Sequence, residues 1–212
     1  MTRINTVFAT KIYQTSVSGR GSRKLNEDLK RATLALADDD RAGQQWSDEN
    51  NYGGYTSYAS LNDLTWRMPE FAKLEPYLIE HANAFARDIQ LNMSNSSLIL
   101  DSIWVNILEP GGAHSAHIHP NSVISGTYYV DIYGDSSAIR FEDPRLTMMM
   151  AAPPRLSNAN IENRSFVDIK PKTGMLLLWE SWLRHEVPVN LSDNDRISIS
   201  FNLSLQADPG CQ

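Results

Sequence analysis

The chain has 212 residues, of which 42% are hydrophobic and 21% are charged. This length and balance are typical of an ordinary globular domain with a sizeable core. The formal net charge is −6, and no lysine and arginine cluster is large enough to neutralise a run of phosphates, so we expect no nucleic-acid partner. Cys211 is the single cysteine, which excludes an intrachain disulfide framework.

No segment of the sequence indicates a membrane or a secretory route. No apolar run approaches the roughly 18–20 residues that a bilayer requires, so we expect no membrane partner. The first residues contain no apolar signal-peptide region, and we therefore expect a cytoplasmic location. A nucleophilic role for Cys211 is not expected, because a thiolate so near a chain end lacks a fixed position.

The first part of the chain predicts one strand and two helices. From Thr6 to Thr15 the chain has a β-like pattern, carried by residues 7–13. Ser22 is a suitable N-cap for a helix that ends near Asp38-Asp39-Asp40. The polar stretch 43–58 contains glycines and tyrosines and predicts a loop, either a lid over a site or a plain linker. Apolar residues at three- and four-residue steps predict a second helix within residues 69–90.

From Leu98 onward the hydrophobic period changes to two. Short runs rich in valine, isoleucine, threonine and tyrosine predict strands separated by turns. These predicted strands lie at 98–108, 122–133, 138–141, 166–169, 175–179, 185–189 and 196–203. Helices followed by many short strands predict a mainly β protein, a sandwich or a jelly roll with flanking helices. We expect a single domain over residues 1–212, with a supporting part at 1–97 and a jelly-roll core at 98–206.

The histidines are the residues with the clearest chemical potential. In an extended strand, residues i and i+2 point to the same face, so His117 and His119 would present two imidazoles side by side. His185, at the start of a later strand, would complete one face of a metal and leave the opposite positions open. The alternative is that His-x-His is solvated and that His185 is a hydrogen-bonded barrel residue. His114 follows a glycine pair and is expected to be solvated or to face a substrate.

Three motifs in the C-terminal half resemble those of a known family. They are His117-Ile118-His119-Pro120-Asn121-Ser122, then Ser125-Gly126-Thr127-Tyr128-Tyr129-Val130, and finally His185-Glu186-Val187-Pro188-Val189-Asn190 followed by Arg196-Ile197-Ser198. In this order they resemble the 2-oxoglutarate/Fe(II)-dependent oxygenases, in particular a bacterial and phage group. The likeness to prolyl and to aspartyl/asparaginyl hydroxylases is more distant. The resemblance covers residues 106–205.

The resemblance implies a double-stranded β-helix, a cupin-like jelly roll, that uses Fe(II), 2-oxoglutarate and dioxygen to hydroxylate a small-molecule or peptide substrate. His117 matches the family's first iron ligand and His185 its distal ligand. Arg196 matches the basic residue that binds the distal carboxylate of 2-oxoglutarate, and its planar guanidinium suits such a pairing. Ser198, on the same strand face, would add a hydroxyl to that carboxylate.

A tyrosine of the second motif is also implied at the co-substrate. Tyr128 and Tyr129 are adjacent, and period two permits only one of them to face inward. The likeness to prolyl hydroxylases favours Tyr129.

His119 is the departure from the family pattern, because it stands where Asp or Glu is expected. One interpretation is a three-histidine metal face of His117, His119 and His185, which we also predict to be the catalytic centre. A second is that the position is empty and His119 only donates or accepts a hydrogen bond. A third is a shifted frame, in which His119 is the first ligand and Asn121 the second.

Two other functions fit the same residues. One is a three-histidine, cupin-like iron dioxygenase that does not use 2-oxoglutarate. The other is a non-catalytic jelly-roll binding protein in which the histidines are structural. Base rates for oligomers also allow a homodimer through the N-terminal helices.

Overall fold

The computed structural model describes residues 1–17 and 21–208. Cys211 lies outside the described residues, so its predicted lack of a role stays a prediction. In the described part, four α-helices precede most of the strands. They are α1 (Ser22–Asp39), α2 (Arg41–Glu49), α3 (Leu64–Arg67) and α4 (Pro69–Asp88). No helix of the described residues is long and apolar enough to cross a membrane.

Two antiparallel sheets form the rest of the structure. The larger has six strands in the order β1-β8-β5-β10-β3-β2, and the smaller has four in the order β4-β9-β6-β7. Their bounds are β1 (Ile12–Ser16), β2 (Gly54–Thr56), β3 (Ser96–Leu108), β4 (His114–His117), β5 (Ile124–Asp131), β6 (Ile139–Glu142), β7 (Phe166–Ile169), β8 (Met175–Glu180), β9 (His185–Val187) and β10 (Arg196–Ala207). The predicted mainly β jelly roll with flanking helices is confirmed.

The larger sheet is buried on both faces, which explains its nearly continuous apolar strands. On β8, Leu176 and Leu178 belong to the cluster that also contains the buried faces of α1 and α4. Leu177 and Trp179 point the other way, into a second cluster shared with Phe141 of the smaller sheet. The core therefore has a helix-facing layer and a layer between the sheets, and the latter borders the candidate site.

Two of the predicted elements in the first half were placed wrongly. The first strand is Ile12–Ser16, which overlaps only the end of the predicted stretch from Thr6 to Thr15, because pairing with β8 begins only at Ile12, opposite Trp179. The predicted loop at 43–58 is helical over its first part, α2. The Asp40 carboxylate accepts a hydrogen bond from the Gly43 amide at 3.0 Å, which caps a new helix directly after α1.

Candidate metal centre

Three histidines from separate parts of the chain meet between the sheets. His117 ends β4 and is paired in register with His185, the first residue of β9. His119 follows β4 and is held by a hydrogen bond from its amide to the Ser181 carbonyl at 3.0 Å. One nitrogen from each ring lies within 4.8 Å of the others, so the three could hold a metal ion. This is the cluster that the sequence predicted.

Backbone carbonyls orient two of these imidazoles. The Nδ1 of His117 lies 2.7 Å from the Ser115 carbonyl oxygen, and the Nδ1 of His185 lies 2.9 Å from the Leu183 carbonyl oxygen. A carbonyl oxygen only accepts, so each Nδ1 carries the proton and each Nε2 keeps a free lone pair. The lone pair of Nε2 is what a metal needs, and such a second hydrogen bond is the usual device for presenting it.

Burial keeps two of these imidazoles uncharged at neutral pH. Together with the neighbouring His117, it lowers the pKa of His119 to about 4 and that of His185 to about 3. Because neutral imidazole is the form that binds metal, His119 and His185 are in their ligating state at pH 7.

The three imidazoles border an enclosed space, called here the inner cavity. It is lined by Trp104, Asn106, His114, His117, His119, Gly126, Thr127, Ile139, Trp179, His185, Val187, Arg196, Ser198 and Ser200. Arg196 and Ser198 line it together, as the period-two pattern predicted. The inner cavity thus joins the histidine cluster to a guanidinium from the opposite sheet.

Arg196 is a buried cation without a counter-ion. Its residue is 2% exposed, its Nε has no hydrogen-bond partner among the described residues, and Nη1 reaches only the Ser198 hydroxyl at 3.5 Å. Its Cζ lies 5.1 Å from the centre of the Tyr129 ring. An unpaired buried charge is costly, so this arrangement favours an anionic ligand beside Arg196.

The two adjacent tyrosines point to opposite faces. The Tyr128 hydroxyl donates to the Asn26 side-chain oxygen at 2.9 Å, which places this tyrosine against α1 and away from the cavity. Tyr129 is fully buried between the sheets, its ring lies against the Arg196 guanidinium, and its hydroxyl has no hydrogen-bond partner among the described residues. Tyr129 therefore points inward, toward Arg196, and Tyr128 points away, while a role for either at the co-substrate stays a prediction.

His114 is partly buried and lines the inner cavity rather than facing bulk solvent. Its Nε2 contacts the hydroxyl of Tyr52, which donates to the Asn106 side-chain oxygen at 2.9 Å, and the Asn106 amide donates to Ser200 at 3.0 Å. Burial lowers the pKa of His114 to about 3. Sequence reasoning missed this network because β4 changes register between His114 and His117, so that two histidines three positions apart both border the cavity.

Asn121 does not take part in the cluster. It is exposed, its backbone is left-handed with φ of 69°, and it lines neither the inner cavity nor the groove outside it. The shifted frame of His119 and Asn121 therefore finds no support in the structure.

A larger opening, called here the outer groove, leads to the same histidines. Its volume is about 960 Å³, and its side chains are mostly aromatic, amide or apolar. They belong to Trp46, Asn50, Asn51, Tyr52, Thr56, Tyr58, Trp104, Asn106, Ala113, His114, Ser115, His117, Ile118, His119, Pro120, Glu186, Val187, Pro188, Val189 and Asn202. Glu186 is its single acidic residue, and Arg140 pairs with it at 3.5 Å.

The fold and the cluster define a class of protein: a double-stranded β-helix with a candidate mononuclear metal centre. The model of the family described as "Putative 2OG-Fe(II) oxygenase" matches residues 102–202 of the chain, a similarity that identifies the protein as an oxidoreductase. The cofactors of that family are Fe(II) and 2-oxoglutarate. The donor set fits both, because three imidazoles face the metal position and a guanidinium without an acidic partner among the described residues can bind a carboxylate. A comparison with curated protein sequences finds no match.

Solved structures of low sequence identity share the fold over nearly the whole chain. The epimerase SnoN from nogalamycin biosynthesis, in complex with Fe³⁺, alpha-ketoglutarate and nogalamycin RO, is 12% identical with a TM-score of 0.63, over 96% of this chain and 83% of that one. HygX from Streptomyces hygroscopicus, with nickel, 2-oxoglutarate and hygromycin B bound, is 15% identical with a TM-score of 0.60, over 95% and 84%. A prolyl-4-hydroxylase from Pseudomonas putida is 12% identical with a TM-score of 0.55, over 95% and 94%.

Proposed function

We propose that the protein is an Fe(II)- and 2-oxoglutarate-dependent oxygenase that hydroxylates a small molecule or a short peptide. The observation that carries this proposal is the Arg196 guanidinium, which has no acidic partner among the described residues and is buried in the same cavity as three convergent imidazoles. A metal site alone would not require a buried cation beside it. A co-substrate with two carboxylates accounts for both features.

Six residues in or beside the inner cavity have roles in this proposal. His117, His119 and His185 hold the metal, and His119 replaces the carboxylate of the family pattern. Arg196, Ser198 and Tyr129 bind the distal carboxylate of 2-oxoglutarate through charge-assisted hydrogen bonds. When bound, Fe(II) supplies the activation of dioxygen, coupled to decarboxylation of 2-oxoglutarate to succinate and CO₂.

The substrate enters through the outer groove in this proposal. Its volume of about 960 Å³ is in the upper part of the range for small-molecule sites. The structures of SnoN with nogalamycin RO and of HygX with hygromycin B support a small-molecule substrate, and the prolyl-4-hydroxylase supports a prolyl substrate. The cytoplasmic location, the homodimer and the division at residues 97 and 98 stay predictions.

Anaerobic addition of Fe(II) and 2-oxoglutarate tests the proposal. We expect a weak visible absorption band with the wild-type protein and none with a variant that combines His117→Ala and His185→Ala. Arg196→Ala should keep the metal but lower the affinity for 2-oxoglutarate by about 100-fold, because a buried charge-assisted pair is lost. Absence of the band from the wild type, or its survival in the double variant, would contradict the proposal.

A second function is favoured by the absence of a carboxylate from the cluster: a three-histidine iron dioxygenase without 2-oxoglutarate. It predicts full activity and full metal content in Arg196→Ala. The same variant therefore separates the two candidates, since only the 2-oxoglutarate enzyme needs the guanidinium.

A further inference from the structure

The candidate metal centre contains no negative charge of its own. Among the described residues, the group of histidine, cysteine and carboxylate donors that could hold a metal consists of His117, His119 and His185. No acidic side chain lines the inner cavity. Glu186 lines the outer groove, but Arg140 already pairs with it. The protein cannot supply a carboxylate to this site without rearrangement.

Without a carboxylate from the protein, the site keeps a net positive charge when metal and 2-oxoglutarate are bound, an inference that rests on the proposed function. A divalent metal brings two positive charges and Arg196 brings one, while neutral imidazoles bring none. The two carboxylates of 2-oxoglutarate leave one positive charge uncompensated. A ligating Asp or Glu in place of His119 would have cancelled it. In a buried cavity such an excess is poorly screened and attracts an anion.

Trp179 provides a hydrogen-bond donor for such an anion. This residue is 1% exposed and lines the inner cavity, with its ring centre 4.7 Å from that of His185. Its indole N–H is buried without a hydrogen-bond partner in the described structure. Buried N–H groups are nearly always paired, and an indole can only donate, so its missing partner must be an acceptor.

We propose that the inner cavity binds a small monoanion in addition to 2-oxoglutarate, beside the three histidines and Trp179. The anion takes up the charge that a ligating carboxylate would have supplied, and it accepts the indole hydrogen bond. Two sources share this chemistry: a free inorganic anion, or a carboxylate group carried by the substrate.

Anaerobic protein loaded with Fe(II) and saturating 2-oxoglutarate is titrated with azide, an inorganic monoanion, and with acetate, a carboxylate. The readouts are the visible spectrum and calorimetric affinity, neither of which requires turnover. We expect at least one probe to bind the wild-type protein. His119→Asp should lower the affinity for that probe by about tenfold or more, because the new carboxylate restores the missing negative charge.

Trp179→Phe is the second variant, and Trp104→Phe is its matched control, since Trp104 lines the same cavity 5.9 Å from His119. We expect Trp179→Phe to lower the affinity for the anion by about fivefold, as for one lost hydrogen bond. Metal content and the affinity for 2-oxoglutarate should stay within about twofold of the wild-type values. Trp104→Phe should leave anion affinity unchanged. Binding of azide but not acetate identifies an inorganic anion, and the reverse identifies a substrate carboxylate.

The proposal is overturned if neither probe binds the loaded wild-type protein. It is also overturned if both probes bind the His119→Asp variant as tightly as they bind the wild type. Equal loss in Trp104→Phe and Trp179→Phe would also overturn it, because the assigned donor would then be wrong. In each of these outcomes the wild-type protein still forms the visible absorption band with Fe(II) and 2-oxoglutarate. If the proposed function itself is wrong, that band does not form in the wild type, so the two failures can be told apart.

Discussion

Arg196 shows at the scale of one residue how function and stability oppose each other. Its guanidinium is buried between two sheets, beside Ser198 and Tyr129, without an acidic partner. The folded protein keeps an uncompensated cation where an apolar side chain would be cheaper. Such a residue indicates that the site, rather than the fold, requires the charge.

Replacing Arg196 with methionine should therefore stabilise the metal-free protein while it removes 2-oxoglutarate binding. Methionine fills a similar volume without the desolvation cost, and we expect the free energy of unfolding to rise by about 1–3 kcal/mol. Urea unfolding measures this change. Added 2-oxoglutarate should raise the midpoint of the metal-loaded wild type and leave that of the variant unchanged. A variant less stable than wild type would show that Arg196 is a structural residue.

The segment between α2 and β2 shows, at the scale of elements, how the groove is built. It brings Tyr52 to His114 and Asn106, and its backbone lies against the β3–β4 turn. Gly54 has φ of 140°, and a Cβ there would lie 2.1 Å from the Ile107 carbonyl oxygen. A side chain is excluded at this position by both backbone conformation and space.

Gly54→Ala should consequently destabilise the protein by about 2–4 kcal/mol, through strain and a backbone clash. Gly134→Ala is the matched control, because no atom lies within 4 Å of its Cβ position. Thermal unfolding should show a clear drop for the first variant and almost none for the second. An unperturbed Gly54→Ala protein would mean that the segment yields easily and does not hold Tyr52 in place.

The burial of several histidines affects the pH dependence of the whole molecule. The pKa values of His114 and His185 are lowered to about 3 and that of His119 to about 4, mainly by burial. Unfolded histidine titrates near 6.5, so below this pH the unfolded chain binds protons that the folded one does not. Stability is thus fully present above about pH 6.5 and is lost as the pH falls toward 4.

Metal-free protein should for this reason lose roughly 2 kcal/mol for each of these three histidines between pH 7.5 and pH 5. Urea unfolding at the two pH values measures the loss. His114→Asn, which lies outside the proposed ligand set, should have a smaller loss than the wild type over the same interval. A wild-type stability that is constant between these pH values would contradict the burial argument.

Local pattern accounts for what was predictable in this molecule. Strand periodicity located most strands of the two sheets, and i, i+2 spacing placed Arg196 and Ser198 on one face. Helical periodicity located α1 and α4. The bounds of the first strand were wrong and helix α2 was missed, because the strand depends on its partner β8 and the helix on a cap from Asp40. The spacing of hydrophobic residues reveals neither a partner strand nor a helix cap.

The sequence by itself determined the jelly-roll class and the set of histidines and arginine, because these follow from periods of two and 3.6 and from ordered motifs. The tertiary structure alone decided which groups meet and which lack partners. Pairing of β4 with β9 brings His117 to His185, and the register change in β4 turns His114 inward. Sheet packing leaves the Trp179 N–H without a partner. Such facts depend on contacts between residues far apart in sequence, where no local period operates.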